Sequence, residues 1–218
     1  MYRSLYTGVF KKRYIDGEWT AGDGLIYDMF DPEVHTYTDQ TRPQGLPYLA
    51  ARHIACDYGT ANPFVLLDLY DDGETVWVDN EYRWDSRAQL SQKTDQEYAD
   101  VFLGFRGDDP QFFCPAVVDP SAASFIEALR RRGVYVIPGE NDVLDGIRRV
   151  SALLARRVLR IHAERCPGLI GELQSYVWDS KAAAMGVERP VKNLDHGPDA
   201  LRYYVNTCLP GWRYGEEG

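Results

Sequence analysis

The sequence contains no run of apolar residues long enough to cross a membrane, and its first residues lack the apolar core of a signal peptide. A membrane-spanning helix needs about 20 consecutive, mostly apolar residues. We therefore expect a soluble, intracellular protein that has no membrane partner.

Cysteine is scarce, with four residues in a chain of 218, and no two of them form a Cys-x-x-Cys pair. Zinc knuckles and disulfide frameworks need cysteines at short, regular spacings. We expect Cys56, Cys114, Cys166 and Cys208 to be reduced and mostly buried. Internal repeats and low-complexity segments are also absent. The length of 218 residues fits one domain with an appendage.

The formal net charge of -9 argues against a simple nucleic-acid binder. The charge is unevenly spread, however, because residues 121–165 contain nine arginines and only five acidic residues. This distribution fits either a basic surface on an acidic protein or solvated helix faces.

Three strands are predicted in the first half of the domain. Residues 51–57 form an apolar run that ends in Asp57, and a glycine turn with Asn-Pro separates them from a second apolar run at 64–70. Asp71-Asp72-Gly73 then predicts a hairpin turn into a third strand at 75–82. A polar helix is predicted at 91–105.

Strands and helices alternate in the second half. A buried strand at 114–119 ends in Asp119, a helix follows to Gly133, and 134–137 forms the next strand, which is typical of a parallel βαβ unit. Further predictions are an amphipathic helix at 142–156, a short edge strand at 158–161, a helix at 166–178, a surface loop at 181–190 and a terminal helix from about 198 to 206.

This order of elements predicts an α/β fold of the ribonuclease H-like type. We expect a mixed, five-stranded or slightly larger sheet with helices on both faces. The predicted organisation is an aromatic N-terminal segment with a linker (1–48), the ribonuclease H-like domain (49–209) and a C-terminal tail (210–218).

Three carboxylates can meet in such a sheet. Asp57 and Asp119 end strands that should lie side by side, while Asp199 lies in the first turn of the terminal helix, three residues after His196. Clustered carboxylates repel one another unless hard cations neutralise them. Two Mg²⁺ or Mn²⁺ ions there could activate a water and stabilise the leaving oxygen of a phosphodiester. Alternatively, each aspartate caps a helix or turn and His196 is structural.

Three motifs resemble the nuclease domain of the large terminase subunit of tailed bacteriophages. They are Asp57-Tyr58-Gly59-Thr60-Ala61-Asn62-Pro63, Val118-Asp119-Pro120-Ser121-Ala122 and Asp195-His196-Gly197-Pro198-Asp199-Ala200-Leu201-Arg202-Tyr203. Two further stretches, 17–19 and 24–30, resemble the segment that precedes this domain.

The resemblance implies a metal-dependent endonuclease that cuts concatemeric, double-stranded viral DNA in the host cell cytoplasm. It implies that Asp57, Asp119 and Asp199 bind metal and that His196 contacts metal or orients water. Glu81 is a further acidic candidate near the site. The candidates for contacts with DNA phosphates are Arg148, Arg149, Arg156 and Arg202, although Arg202 could equally pair with a site carboxylate.

The phosphate-binding motif of the terminase ATPase, Gly-x-x-x-x-Gly-Lys-Ser/Thr, does not occur in this sequence. We therefore interpret the chain as a nuclease domain whose partners are DNA, the missing ATPase domain, the portal and the small terminase subunit. Two alternatives stay open. Residues 57–62 also resemble a phosphate loop of actin-like and sugar-kinase ATPases, and the chain could be a non-catalytic domain that docks a procapsid portal.

Overall fold

The computed structural model describes residues 24–60, 62–107 and 113–209. The motif at 17–19 and the predicted tail at 210–218 lie outside these ranges. No helix in the described ranges is long and apolar enough to span a membrane.

The described residues form a mixed, seven-stranded sheet with the strand order β1-β7-β4-β3-β2-β5-β6. The strands are β1 (Thr36–Tyr37), β2 (Ala51–Asp57), β3 (Phe64–Asp71), β4 (Val76–Trp84), β5 (Ala116–Val118), β6 (Val136–Pro138) and β7 (Leu159–His162). Strands β2, β3 and β4 form an antiparallel meander, and the other pairs in the sheet are parallel.

Eight helices are described along the chain. They are α1 (Pro32–His35), α2 (Leu46–Leu49), α3 (Asp95–Arg106), α4 (Ala123–Arg131), α5 (Val143–Ala155), α6 (Pro167–Ser175), α7 (Ser180–Ala184) and α8 (His196–Cys208). Helix α3 begins where the sequence allows a capping box, because Thr94 and Glu97 satisfy each other's backbone N–H groups.

The sheet has a hydrophobic core on each face, as expected when successive strand residues point to opposite sides. Ile54 and Cys56 of β2 pack with α3 and α4 in one core. Ala55 of β2 packs in the other core, which contains side chains of α5, α6 and α8. Only the strand side chains on the same face of the sheet as Ala55 can therefore reach α8.

The structure confirms an α/β fold with a mixed sheet and helices on both faces, and it corrects two details. The predicted edge strand at 158–161 is β7, which lies inside the sheet because β1 pairs with its outer side. The predicted loop at 181–190 begins with helix α7, which Asp179 caps by accepting from the Lys181 and Ala182 amides. The four cysteines are free, and three of them are buried.

Residues 24–48 contact the domain that follows them. Ile26, Tyr27 and Phe30 are part of the core beside α8, and β1 extends the sheet. The boundary at 48 stays a prediction about domain organisation, but the second half of the N-terminal segment packs as part of this sheet structure.

Candidate active site

Asp57 and Asp119 lie next to each other because their strands are parallel neighbours. Strands β2 and β5 pair in a register that sets Cys56 beside Val118, so the two aspartates follow directly at the same sheet edge. The Asp119 amide donates to the Cys56 carbonyl at 3.3 Å. Asp57 lies two residues after Ala55, and Asp119 two residues after Val117, so each aspartate points to the same face of the sheet as that residue. Ala55 and Val117 pack in the core beside α8, and both aspartates therefore lie on the face that α8 covers.

Helix α8 brings the remaining predicted residues to that edge. Its first turn contains His196 and Asp199, and His196 Nδ1 lies 2.8 Å from Asp57 Oδ2. Since Asp57 is an acceptor when ionised, this contact assigns the proton to Nδ1. Asp57, Asp119, His196 and Asp199 line one cavity of about 680 Å³.

Two cations of the chain hold Asp199. Lys192 Nζ lies 3.1 Å from Asp199 Oδ2, and Arg202 Nε lies 3.2 Å from Asp199 Oδ1. Arg202 is 1% exposed and also donates to Asn141 Oδ1 at 3.3 Å. Its stem passes Gly146 of α5, where a Cβ atom would lie 2.1 Å from Arg202 Cγ. The arginine is therefore built into the packing of α5 against α8.

The electrostatics of the site penalise the charge on Asp57. Burial raises the pKa of Asp57 to about 6, the hydrogen bond from His196 offsets part of this shift, and the Asp199 and Asp119 carboxylates add to it. Burial opposes protonation of His196, but the hydrogen bond and charge of Asp57 dominate and raise the pKa of His196 above its usual value. The cavity thus favours additional positive charge beside Asp57.

The donor chemistry fits a hard divalent cation, because three carboxylates at one sheet edge supply the oxygen ligands that Mg²⁺ and Mn²⁺ prefer. The carboxylates are not arranged as metal ligands in this structure. Within the described ranges, no group of three or more His, Cys, Asp or Glu side chains is placed so that it could hold a metal ion. The carboxylate oxygens instead accept hydrogen bonds or form ion pairs within the protein. The Ser121 amide, for example, donates to Asp119 Oδ1 at 2.9 Å. Lys192 is the partner that could move most easily, since its side chain is 63% exposed.

A second layer of charged groups holds the first turn of α8. Glu172 of α6 accepts a hydrogen bond from the Gly197 amide at 2.7 Å, and both of its oxygens pair with Arg83 of β4 at 2.6 and 3.0 Å. Gly197 has no Cβ, and an added one would lie 2.8 Å from Glu172. Glu172 is 5% exposed, so this contact fixes the backbone beside His196.

The other predicted residues lie elsewhere. Arg148, Arg149 and Arg156 are not among the residues that line the cavity, and Arg149 Nε pairs with Asp145 at 2.7 Å. Glu81 is also absent from the lining; it pairs with Arg83 at 2.7 Å and accepts from the Leu169 amide at 3.0 Å. Of the four predicted arginines, Arg202 is at the site, where it pairs with a carboxylate, as the alternative interpretation allowed.

Sequence reasoning missed Arg87 and Lys192, which line the cavity, and Glu172. Arg87 and Lys192 come from irregular loops, where no periodicity predicts direction. The only available signal for Lys192 was its position three residues before Asp195, to which it pairs at 3.3 Å.

The chain is similar to solved proteins of one kind. The large terminase from a thermophilic bacteriophage shares 42% sequence identity with a TM-score of 0.86, over 95% of this chain and 51% of that terminase. This chain is a relative of the bacteriophage large terminases. It spans about half of the length of the 42%-identical terminase. No protein-family model and no curated protein matches it.

Two further structures identify the fold of the terminase half represented here. The P22 large terminase nuclease domain has a TM-score of 0.66 at 16% identity, over 88% of this chain and 95% of that domain. The large terminase nuclease from the thermophilic phage G20c has a TM-score of 0.60 at 13% identity, over 84% of this chain and 97% of that nuclease. The chain therefore has the ribonuclease H-like fold of terminase nuclease domains.

Proposed function

We propose that this chain is the metal-dependent endonuclease domain of a viral DNA-packaging terminase and that it cuts concatemeric, double-stranded DNA. The observation that carries the proposal is the meeting of Asp57, Asp119 and Asp199 in one cavity at the edge of the sheet. The 42% identity with a bacteriophage large terminase favours this function over the actin-like alternative. The G20c terminase nuclease has been solved with bound magnesium and with bound cobalt, which supports a divalent ion as the cofactor.

The three aspartates would hold the cofactor, which we propose to be two Mg²⁺ or Mn²⁺ ions. Such ions supply Lewis-acid stabilisation of the phosphate and lower the pKa of water. His196 orients the Asp57 carboxylate through Nδ1, and Glu172 fixes the backbone of the turn that carries His196 and Asp199. Arg202 holds Asp199 from the buried side.

The proposed partners follow from the family. The 42%-identical terminase has been solved with ADP and with ATP-gamma-S, so an ATPase domain that precedes the nuclease is the expected partner within the whole protein. The portal and the small terminase subunit are further proposed partners, and the host cytoplasm is the proposed location. The nuclease domain is proposed to span residues 49–209.

Cleavage of supercoiled plasmid in Mg²⁺, Mn²⁺ or chelator tests the function. We expect the wild-type chain to nick and linearise the plasmid with either ion and not in chelator. Asp57→Ala should reduce the rate at least about a thousandfold, because a lost carboxylate ligand removes the ion that stabilises the transition state. Asp100→Asn, at an aspartate on α3 whose side chain is 67% exposed, is the matched control and should cut normally.

Equal Mn²⁺-dependent cutting by wild type and Asp57→Ala would contradict the proposal. A folded wild-type chain that never cuts DNA would favour the non-catalytic docking alternative. Circular dichroism of each variant separates loss of chemistry from loss of folding.

A further inference from the structure

The cavity that contains the three predicted metal ligands is acidic, and this raises a problem for a nucleic-acid substrate. Five aspartates line it, at positions 57, 85, 119, 195 and 199, against the three cations Arg87, Lys192 and Arg202. A phosphodiester strand that enters the cavity is repelled unless cations meet its phosphates. Apart from the proposed divalent ions, the cationic side chains of the cavity therefore decide where the strand can lie.

Two of the three cations are already engaged by site carboxylates. Lys192 pairs with Asp195 and Asp199, and Arg202 is buried against Asp199 and Asn141. Arg87 differs from both, because it is exposed and its guanidinium makes no hydrogen bond or ion pair within the described ranges. The five N–H donors of its guanidinium are therefore available to a ligand beside the carboxylates.

The loop that carries Arg87 is held in one shape. It connects β4 to α3, and Asp85 Oδ1 accepts from the Arg87 and Ala88 amides at 2.9 and 3.3 Å in an Asx turn. The Ser91 amide donates to the Ser86 carbonyl at 3.2 Å, which closes the turn.

Two contacts fix this loop to the domain. Ser86 is 8% exposed, and its Oγ lies 3.3 Å from the Tyr98 hydroxyl of α3. Trp84 Nε1 donates to the Ser91 carbonyl at 3.1 Å, and Lys93 Nζ lies 3.7 Å above the Trp84 ring. The backbone at Arg87 is therefore preorganised, and ordering it costs little when a ligand binds.

We propose that Arg87 binds a backbone phosphate of the DNA strand and positions that strand against the carboxylates. The planar guanidinium matches a phosphate group with two parallel N–H donors, a geometry that lysine cannot reproduce. The inference rests on the proposed nuclease function and replaces Arg148, Arg149 and Arg156, which do not line the cavity, as the principal phosphate contact. Arg87 is a positioning residue for DNA and takes no part in metal binding.

The test compares Arg87→Ala and Arg87→Lys with Arg130→Ala, an exposed arginine of α4 that does not line the cavity. Binding of a short, fluorescein-labelled DNA duplex is measured by anisotropy in chelator across a series of NaCl concentrations, and cleavage is measured with Mn²⁺. We expect Arg87→Ala to raise Kd and KM about tenfold and to leave kcat within about threefold. The slope of log affinity against log salt should fall by about one, and Arg87→Lys should restore the slope more fully than the affinity.

Arg130→Ala should match the wild type in every measurement, and the melting temperature of Arg87→Ala should be unchanged because its guanidinium has no partner to lose among the described residues. Wild-type Kd and salt slope in Arg87→Ala would overturn the inference while leaving the nuclease function standing if the wild type cuts. A wild-type chain that neither binds nor cuts DNA would overturn both proposals.

Discussion

Two buried aspartates of the same sheet, Asp57 and Asp79, have opposite environments. They are 9% and 7% exposed, respectively, and burial opposes the charge of each. Asp79 of β4 accepts from Arg42 at 2.7 and 3.0 Å and from the Tyr37 hydroxyl at 2.8 Å, and Arg165 lies 3.1 Å away. Burial raises the pKa of Asp79, but these partners outweigh it and hold the pKa below its usual value.

Asp57 receives far less compensation. Its hydrogen-bond partner is His196, and Asp199 and Asp119 add negative charge nearby, so its pKa rises to about 6. The chain places two arginines and a tyrosine around one aspartate and leaves the other beside two more carboxylates. Asp79 therefore has a structural role, because it ties residues 37–42 to the sheet. The charge of Asp57 is instead retained at a cost to stability, as is often the case for functional groups.

Among variants that keep every carboxylate, the largest expected effect comes from disturbing the first turn of α8 beside Asp57. Gly197→Ala would place a Cβ 2.8 Å from Glu172 Oε2 and 3.2 Å from Arg83 Nη2, so either the first turn of α8 or the Glu172 carboxylate that holds it has to move. A shift of about 1 Å in a catalytic group costs about a hundredfold in rate. We expect that loss in plasmid cleavage. The clash with the buried Glu172 carboxylate lowers stability, and the better helix propensity of alanine offsets part of that loss, so urea unfolding is measured to show that the variant is folded.

Gly171→Ala, on α6, is the matched control for this variant. An added Cβ at Gly171 meets nothing within 4 Å, so cleavage should stay at the wild-type rate. Normal cleavage by Gly197→Ala would show that the contact between Glu172 and the Gly197 amide does not position the site.

Asp79→Asn should have the converse effect, with lower stability and normal chemistry. It leaves Arg42 and Arg165 without their carboxylate, and removing one partner of a buried pair costs about 3–5 kcal/mol. The arginine side chains are 23% and 34% exposed, so we expect about 2 kcal/mol in urea unfolding. Loss of cleavage in folded Asp79→Asn would break the proposed separation of the two regions.

The pH dependence of the free energy of unfolding tests the structural role of Asp79. The folded pKa of Asp79 lies below its unfolded value of about 3.9. Its contribution is therefore fully present above that pH and is lost as the pH falls through the folded pKa. The stability difference between wild type and Asp79→Asn should shrink below about pH 4, and a difference that stays constant to lower pH would mean that its charge is not what stabilises the fold.

The smallest expected effect is a gain in stability. Asp57→Asn removes a buried charge that two carboxylates repel, and it keeps a side-chain oxygen that can accept from His196. We expect about 1 kcal/mol more stability than wild type in chelator. A loss of stability equal to that of Asp79→Asn would mean that the two aspartates play the same structural role.

The sequence predicted the parts of this molecule that depend on local pattern. Short apolar runs and turn signals located β2, β3, β5 and the end positions of Asp57 and Asp119, because strand parity and parallel pairing leave little freedom. The short strand β1, with two residues, carries too little pattern to be recognised, and its pairing with β7 depends on tertiary contacts.

Local sequence patterns could not predict which way helix faces and loop side chains point relative to the carboxylates. The amphipathic pattern at 142–156 predicted helix α5, but not where its polar face lies relative to the carboxylates. Arg87 reaches the cavity through an Asx turn, and Glu172 reaches Gly197 across 25 residues. Contacts of this kind depend on packing between elements rather than on periodicity.

The central claim is that Asp57, Asp119 and Asp199 together bind divalent ions, and Mn²⁺ binding measured by calorimetry on the full chain tests it most directly. We predict that the wild type and the Asp100→Asn control bind Mn²⁺ alike, and that asparagine at any of the three positions weakens binding at least about tenfold without unfolding the chain. Unchanged Mn²⁺ affinity in folded Asp57→Asn would contradict the account.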